Sequence, residues 1–280
     1  MTKRNRTTNK ALLRGVAVVL SVCVLTGLSA CAAGPVLPPQ SRVSPTDVTA
    51  AAVPCIDNTV LHNGKTLYDY YSENNDTIGW LTIDGILTDN VVMLGQDKPY
   101  EQGDDGINHY LNYDFSHQAS RAGELYIDAR CRITYNSMSQ NMTVYGHHMR
   151  NGTMLAGLDY YVKESYFQDH QYMTFQTLWH TYHFRVFGVF IVNLKVKSDA
   201  AFNYRRPEFK SEQAFLDFID EVRERSFYDT GVTVQGTDRI LTLSTCTYPS
   251  GNAATDNARL VVMARQCTPE EEAALQSDAA

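Results

Sequence analysis

The stretch Arg239-Ile-Leu-Thr-Leu-Ser-Thr-Cys246 decides how this chain is read. Alternation with period two puts Leu241 and Leu243 on one face and Thr242, Ser244 and Cys246 on the other. That pattern predicts a half-buried strand ending on a thiol. A thiol at the open end of a rigid strand is well placed to act as a nucleophile. A second strand-like run, Ala258-Arg-Leu-Val-Val-Met-Ala-Arg265, follows after a polar loop. If the two pair antiparallel, Arg259 comes near the thiol. It shares its face with Val261 and Met263, an unusual setting for a solvated arginine. Upstream, Thr143-Val-Tyr-Gly-His-His-Met149 is a short strand running into two histidines, which on a strand point to opposite sides.

Working outward, strand candidates lie near 80–83, 90–94, 124–128, 142–146, 184–194, 239–246 and 258–265. Several short strands with long polar connections predict a closed or nearly closed barrel. Thr59 to Glu73 reads as a short N-terminal helix with Leu61, Leu67, Tyr68 and Tyr71 as its apolar residues. A clearer helix spans Ser211 to Arg225, where Phe215, Phe218, Ile219 and Val222 follow the i, i+3, i+4, i+7 pattern behind a Ser211 N-cap.

These blocks also carry a family resemblance. Leu243-Ser-Thr-Cys246, Tyr145-Gly-His-His-Met149 and Asn257-Ala-Arg-Leu-Val-Val262 resemble the three signature blocks of the sortases, closest to class B. Ile78-Gly-Trp-Leu-Thr-Ile83, Tyr110-Leu-Asn-Tyr-Asp-Phe115 and Gly123-Glu-Leu-Tyr-Ile-Asp128 extend the similarity from about Asp57 to Arg265. The resemblance implies a mainly β fold: an eight-stranded sortase-like barrel with an N-terminal helix and a helix before the penultimate strand. It implies a cysteine transpeptidase that cleaves a C-terminal sorting motif after Thr and passes the acyl group to a cell-envelope amine. Cys246, His147 and Arg259 are then the catalytic set, His147 being the first histidine after Tyr-Gly. Tyr145, Ser244, Thr245 and Asn112 are the expected substrate-binding residues. The expected partners are surface proteins with a C-terminal sorting signal, and a peptidoglycan precursor or pilin amine as acceptor.

The residue types suit that chemistry. A free thiol with a pKa near 8.5 is only a few per cent thiolate at neutral pH. A nearby imidazole takes its proton, or stabilises the thiolate and later protonates the leaving amine. Arginine stays protonated and serves as a donor fork for the substrate backbone or oxyanion. No Asp or Asn stands out as an orienter of the histidine. Three rival readings remain: a pilus-type polymerase differing only in its acceptor, a cysteine peptidase releasing peptide to water, and a catalytically silent surface lipoprotein.

Composition bounds the rest. The first 31 residues hold five basic side chains (Lys3, Arg4, Arg6, Lys10, Arg14) and no acidic one. Removing them from the 24 Lys+Arg leaves 19 against 31 Asp+Glu, about −12. That balance argues against nucleic-acid binding. The basic stretch precedes an apolar run, Gly15 to Leu28, so residues 1–31 read as a membrane-targeting segment. Leu28-Ser-Ala-Cys31 looks like a lipobox, whereas Gly15 to about Val36 is long enough for an uncleaved anchor. Either places the domain on the extracytoplasmic face of a bacterial membrane. Residues 32–56 read as a Pro-rich linker, 57–268 as the catalytic domain and 269–280 as a C-terminal tail. Of the six cysteines, Cys55, Cys131 and Cys267 leave room for at most one disulfide beside a free Cys246. No zinc-type spacing occurs, and no metal or cofactor is expected.

Overall fold

Two residues, Asn63 and Gly64, turn the chain at its first described elements with φ of 52° and 79°. Asn-Gly is the strongest primed-turn signal, and it pairs Leu61–His62 (β1) with Lys65–Thr66 (β2). The helix expected from Thr59 therefore begins only at Leu67. Thr66 caps it in a capping box with Asp69, and α1 runs Leu67–Glu73. We describe residues 59–83, 85–95, 109–251 and 257–278 of a computed structural model. The targeting segment and the linker, with Cys23, Cys31 and Cys55, lie outside the described residues. Among the described residues no helix is long and apolar enough to cross a membrane.

The chain continues through β3 (Thr77–Ile83), β4 (Leu87–Leu94), α2 (His109–Asn112), β5 (Leu125–Ile127) and β6 (Asn141–Tyr145). A 3-10 helix (Ala156–Val162) and α3 (Glu164–Asp169) lead to β7 (Tyr172–Thr177) and β8 (Thr181–Asn193). The long crossing that follows carries α4 (Lys197–Ala201) and α5 (Glu212–Arg225) before β9 (Ile240–Thr247), β10 (Ala258–Gln266) and α6 (Pro269–Asp278). Eight strands close a barrel in the order β10-β8-β7-β3-β4-β5-β6-β9. The pairs are antiparallel except β4–β5 and β6–β9, which are parallel. The expected mainly β barrel is present. Strand β7 has no counterpart among the sequence candidates; only Met173 and Phe175 supply its inward apolar pattern.

The barrel has two apolar faces. Leu241, Leu243, Leu260, Val262 and Ala264 pack inside it with Val144, Leu125 and Phe175. Outside, Ile240, Val261 and Met263 pack under Phe215, Phe218, Ile219 and Val222 of α5, the four residues whose spacing predicts that helix. Ser211 caps α5 by accepting from the Ala214 N–H at 3.2 Å. In β8 a register shift at Phe187 sets Phe184 and Val186 inward, Phe187 and Phe190 outward, and Val189 inward again. Such a bulge lets one strand serve both cores.

The expected tail is largely helical. Thr268 and Glu271 cap α6 reciprocally, with Thr268 N–H donating to Glu271 at 2.9 Å and Thr268 Oγ1 accepting from the Glu271 N–H at 3.3 Å. Glu271 then neutralises two arginines that sit opposite each other in the β8–β10 ladder. Arg265 donates to it at 2.8 and 2.9 Å and Arg185 at 3.0 Å. Arg265 is only 4% exposed. Burial raises the Glu271 pKa, but the hydrogen bonds from Arg265, Thr268 and Arg185 outweigh it and hold the carboxyl at about 2. A depressed folded-state pKa contributes stability above the unfolded value and loses it as pH falls toward the folded one. The contribution is therefore full above about pH 4.5 and gone near pH 2, amounting to about 3 kcal/mol. Glu271→Gln is expected to cost about 3–5 kcal/mol at pH 7, because Arg265 stays buried beside Arg185. Thermal melting at pH 7 and pH 3 checks this: the gap between variant and parent should narrow at the lower pH.

Candidate active site

Strand register alone assembles the site. Parallel pairing of β6 with β9 sets Tyr145 beside Ser244 as its last rung. The chains stay in step beyond it, where Thr245 Oγ1 donates to the Gly146 carbonyl at 2.8 Å. His147 therefore stands abreast of Cys246, one strand spacing away. On the other side, antiparallel pairing of β9 with β10 puts Arg259 directly opposite Cys246. Paired residues share a face, and Val261, opposite Ser244, belongs to the outer core. The row His147–Cys246–Arg259 thus lies on the outer surface of the barrel across three neighbouring strands. All three side chains are half-buried.

Glycine at 146 makes this approach possible. A Cβ there would collide with the side chains of Leu125 and Leu155. His147 is also held from outside the sheet: its Nε2 donates to the Leu111 carbonyl of α2 at 2.7 Å. A carbonyl only accepts, so Nε2 carries a proton and Nδ1 is the nitrogen left free for the thiol. In the neutral form of the ring, Nδ1 holds the lone pair that can take a thiol proton. The orienter missing from the sequence is thus a backbone oxygen, which no residue type reveals. His148 turns the other way. Its Nε2 meets Asp159 Oδ2 at 2.6 Å, and its ring stands edge-on to Tyr248 at 5.7 Å between centroids.

One rung below the row lies a floor of hydroxyls. Tyr126 of β5 pairs with Tyr145, which pairs with Ser244. Tyr145 donates to Asp128 at 2.8 Å, and Asp128 is clamped by Arg130 at 2.7 and 2.8 Å. Ser244 is 2% exposed and covered by Tyr204, whose hydroxyl lies 3.1 Å from its Oγ. Asn141 ties the covering segment down, donating to the carbonyls of Tyr204 and Arg206 at 2.9 and 3.0 Å. Thr245 faces the barrel interior, bonded to Gly146. Asn112 is exposed on α2, next to the carbonyl that holds His147. Burial, first of all, raises the pKa of Tyr126 and of Tyr204; Cys246 raises and Arg259 lowers both. Those two phenols therefore border the His147–Cys246–Arg259 row, though neither is among the residues expected from sequence. Tyr126 lies inside the Gly123–Asp128 block and is findable there. Tyr204 comes from the long crossing and is not.

The remaining groups narrow the chemistry. Arg259 Nη1 donates to the Ala258 carbonyl at 3.1 Å, which ties its guanidinium to the start of β10. Cys131 and Cys267 are free and buried, and burial pushes both thiols up to about 12. Neither is a thiolate at neutral pH, so Cys246 is the half-exposed thiol among the described residues. Among these residues no group of three or more His, Cys, Asp or Glu side chains is placed to hold a metal ion.

Residues 131–267 match the sortase domain. The chain carries a sortase domain. It is 31% identical over 174 residues to sortase B of Staphylococcus aureus, covering 62% of this chain and 64% of that relative. Sortase B of Listeria monocytogenes is 30% identical over 180 residues, covering 64% and 66%. The chain thus spans slightly under two thirds of the length of these curated relatives. In three dimensions it is similar to the S. aureus sortase B–substrate complex, with a TM-score of 0.60, 28% identity and coverage of 72% of this chain and 85% of that one. Clostridium perfringens sortase B matches with a TM-score of 0.60 and 27% identity, over 72% and 99%. The sortase domain places its two histidines in different surroundings, so alanine separates them. His147→Ala should remove nearly all peptide turnover, whereas His148→Ala should cost a few-fold. Steady-state rates with a sorting-motif peptide check this, and a dead His148→Ala beside an active His147→Ala would reverse the assignment.

Proposed function

We propose that this chain is a class B-type sortase, a membrane-tethered cysteine transpeptidase that joins surface proteins to an envelope amine. The observation that carries the reading is the row His147–Cys246–Arg259, built on three adjacent strands. Cys246 thiolate attacks the carbonyl carbon of the Thr residue in a sorting motif. Arg259 hydrogen-bonds the oxyanion or the adjoining substrate backbone. As the C–N bond breaks, His147 gives the departing amine the proton it took from the Cys246 thiol, and a thioester remains. An acceptor amine then attacks the thioester, loses its proton to His147, and releases Cys246. Support for an amine acceptor comes from the similarity to a sortase B structure complexed with triglycine, with a TM-score of 0.60 and 28% identity. Support for a membrane tether comes from the basic stretch before the apolar run Gly15 to Leu28.

Two substitutions test this. Cys246→Ala should abolish cleavage of sorting-motif peptides while leaving thermal melting close to wild type, since the side chain is small and half-exposed. A transpeptidation assay over a small peptide library with defined amine acceptors should give amide products rather than free acid. Hydrolysis alone would make the protein a peptidase instead. Arg259→Lys keeps the charge but loses the planar fork. Removing one oxyanion donor typically costs about 2.7–4 kcal/mol, so kcat/KM should fall by about 10²-fold or more. Near-normal turnover in Arg259→Lys would show that charge alone suffices.

A further inference from the structure

The second histidine of the Tyr-Gly-His-His run and the residue two past the nucleophile meet in space, and the row described above uses neither. Tyr248 follows Cys246 by two positions, one residue beyond the end of β9. Its backbone is fixed by a turn in which the Tyr248 carbonyl accepts from the Gly251 N–H at 2.8 Å, with Pro249 between and Gly251 at φ 76°. Its ring is fixed from the other side by the His148 ring at 5.7 Å and an interplanar angle of 83°. His148 in turn is held by Asp159 at 2.6 Å and by an antiparallel bridge to Met154. Three links thus run from the 3-10 helix to the rim of the catalytic thiol.

We propose that Tyr248 positions the Cys246 sulfur, its hydroxyl donating a hydrogen bond to the thiolate while Asp159 and His148 hold its ring in place. The proposal rests on the cysteine chemistry of the preceding section and adds a donor that the Cys/His/Arg row lacks. Electrostatics agree with the geometry. Burial raises the pKa of Tyr248 first; the Cys246 charge and a side-chain hydrogen bond to Cys246 raise it further, while Arg259 and Arg150 act against them. The phenol therefore stays protonated at neutral pH and able to donate. No proton is transferred: the O–H bond persists, and the thiolate is stabilised where it must stand before attack. Tyr248 and His148 act as positioning residues, upstream of the step that His147 and Arg259 assist.

Alkylation of Cys246 by iodoacetamide in the full-length protein, followed against pH, reads the thiolate directly. Cys246→Ala serves as the blank for the other cysteines. Losing a donor to the thiolate raises the thiol pKa, and thiolate is the reacting form. Tyr248→Phe should therefore move the midpoint upward and slow alkylation at neutral pH by about 3- to 10-fold, with rates converging at high pH. His148→Ala and Asp159→Ala should each move the midpoint the same way. In the Tyr248→Phe background His148→Ala should add nothing, because its effect passes through the missing hydroxyl. A variant that merely folds poorly loses plateau rate and melting temperature without moving the midpoint. An unmoved midpoint in Tyr248→Phe, or a His148 shift that adds to it, overturns the proposal. If Cys246→Ala instead still cleaves sorting-motif peptides, the sortase reading itself fails.

Discussion

The parallel pairing of β6 with β9 is the constraint on which everything else depends. Parallel neighbours need long crossovers, and here about 94 residues of chain separate strands that lie side by side. In exchange, both strands point the same way and both end at the same rim. A histidine and a cysteine placed two residues past the last rung, Tyr145–Ser244, must then stand next to each other. An antiparallel pair would send one of them to the opposite end of the barrel. Gly146 and Thr245 extend the register by one more step, through a hydroxyl-to-carbonyl bond and a missing Cβ. The site is thus a consequence of sheet topology, with side chains supplying only its chemistry.

The polarity of the outer strand face follows from what covers it. A barrel strand facing solvent on its outside can carry any polar residue, but Thr242, Ser244 and Asn141 are all buried. Buried polar groups need partners. Thr242 donates to Asn141 at 2.7 Å, Asn141 donates to two carbonyls of the crossing segment, and Ser244 meets the Tyr204 hydroxyl. These bonds dock residues 204–206 across the outside of the barrel, while α5 seals the apolar half of the same face. The thiol is left at the boundary between a dry, hydrogen-bonded floor and open solvent.

That logic also explains what could be read from the sequence. The alternation in β9 separates inward Leu241 and Leu243 from outward Ser244 and Cys246 without any tertiary information. Val261 and Met263 beside Arg259 reveal an outer face that something apolar must cover, and the 3.6 period of Phe215, Phe218, Ile219 and Val222 supplies the cover. Other features depend on pairings that leave no local trace. The Phe187 bulge is a register event, visible only against β10. Strand β7 carries two inward apolar residues, too few for a pattern. Tyr204 joins the site from 40 residues before Ser244, and the Leu111 carbonyl is backbone, identical in every residue. The Asn63-Gly64 hairpin and the Thr268–Glu271 cap are legible in principle, since both rest on local signals that the expected helix and tail leave unused.

Charge distribution closes the argument for why this rim suits a nucleophile. Tyr126, Tyr145, Tyr204 and Tyr248 surround the row, and burial is the largest cause raising the pKa of each. All four therefore remain neutral near pH 7 and place no phenolate beside the sulfur. Asp128 is the carboxylate beneath Tyr145. Burial raises its pKa, but the Arg130 hydrogen bonds outweigh that and keep it ionised and locally neutralised. What faces the sulfur is then a fixed cation, Arg259, a titratable imidazole, His147, and a set of neutral donors. The fixed cation lowers the cost of a thiolate, and in the proposed mechanism it is the group that a developing oxyanion meets. The floor supplies dipoles already oriented, so little reorganisation is needed as negative charge moves from sulfur to oxygen. A barrel rim built on buried tyrosines thus gives the anion a low-polarity setting without leaving it unpaired, a combination that open solvent or an apolar core alone does not offer.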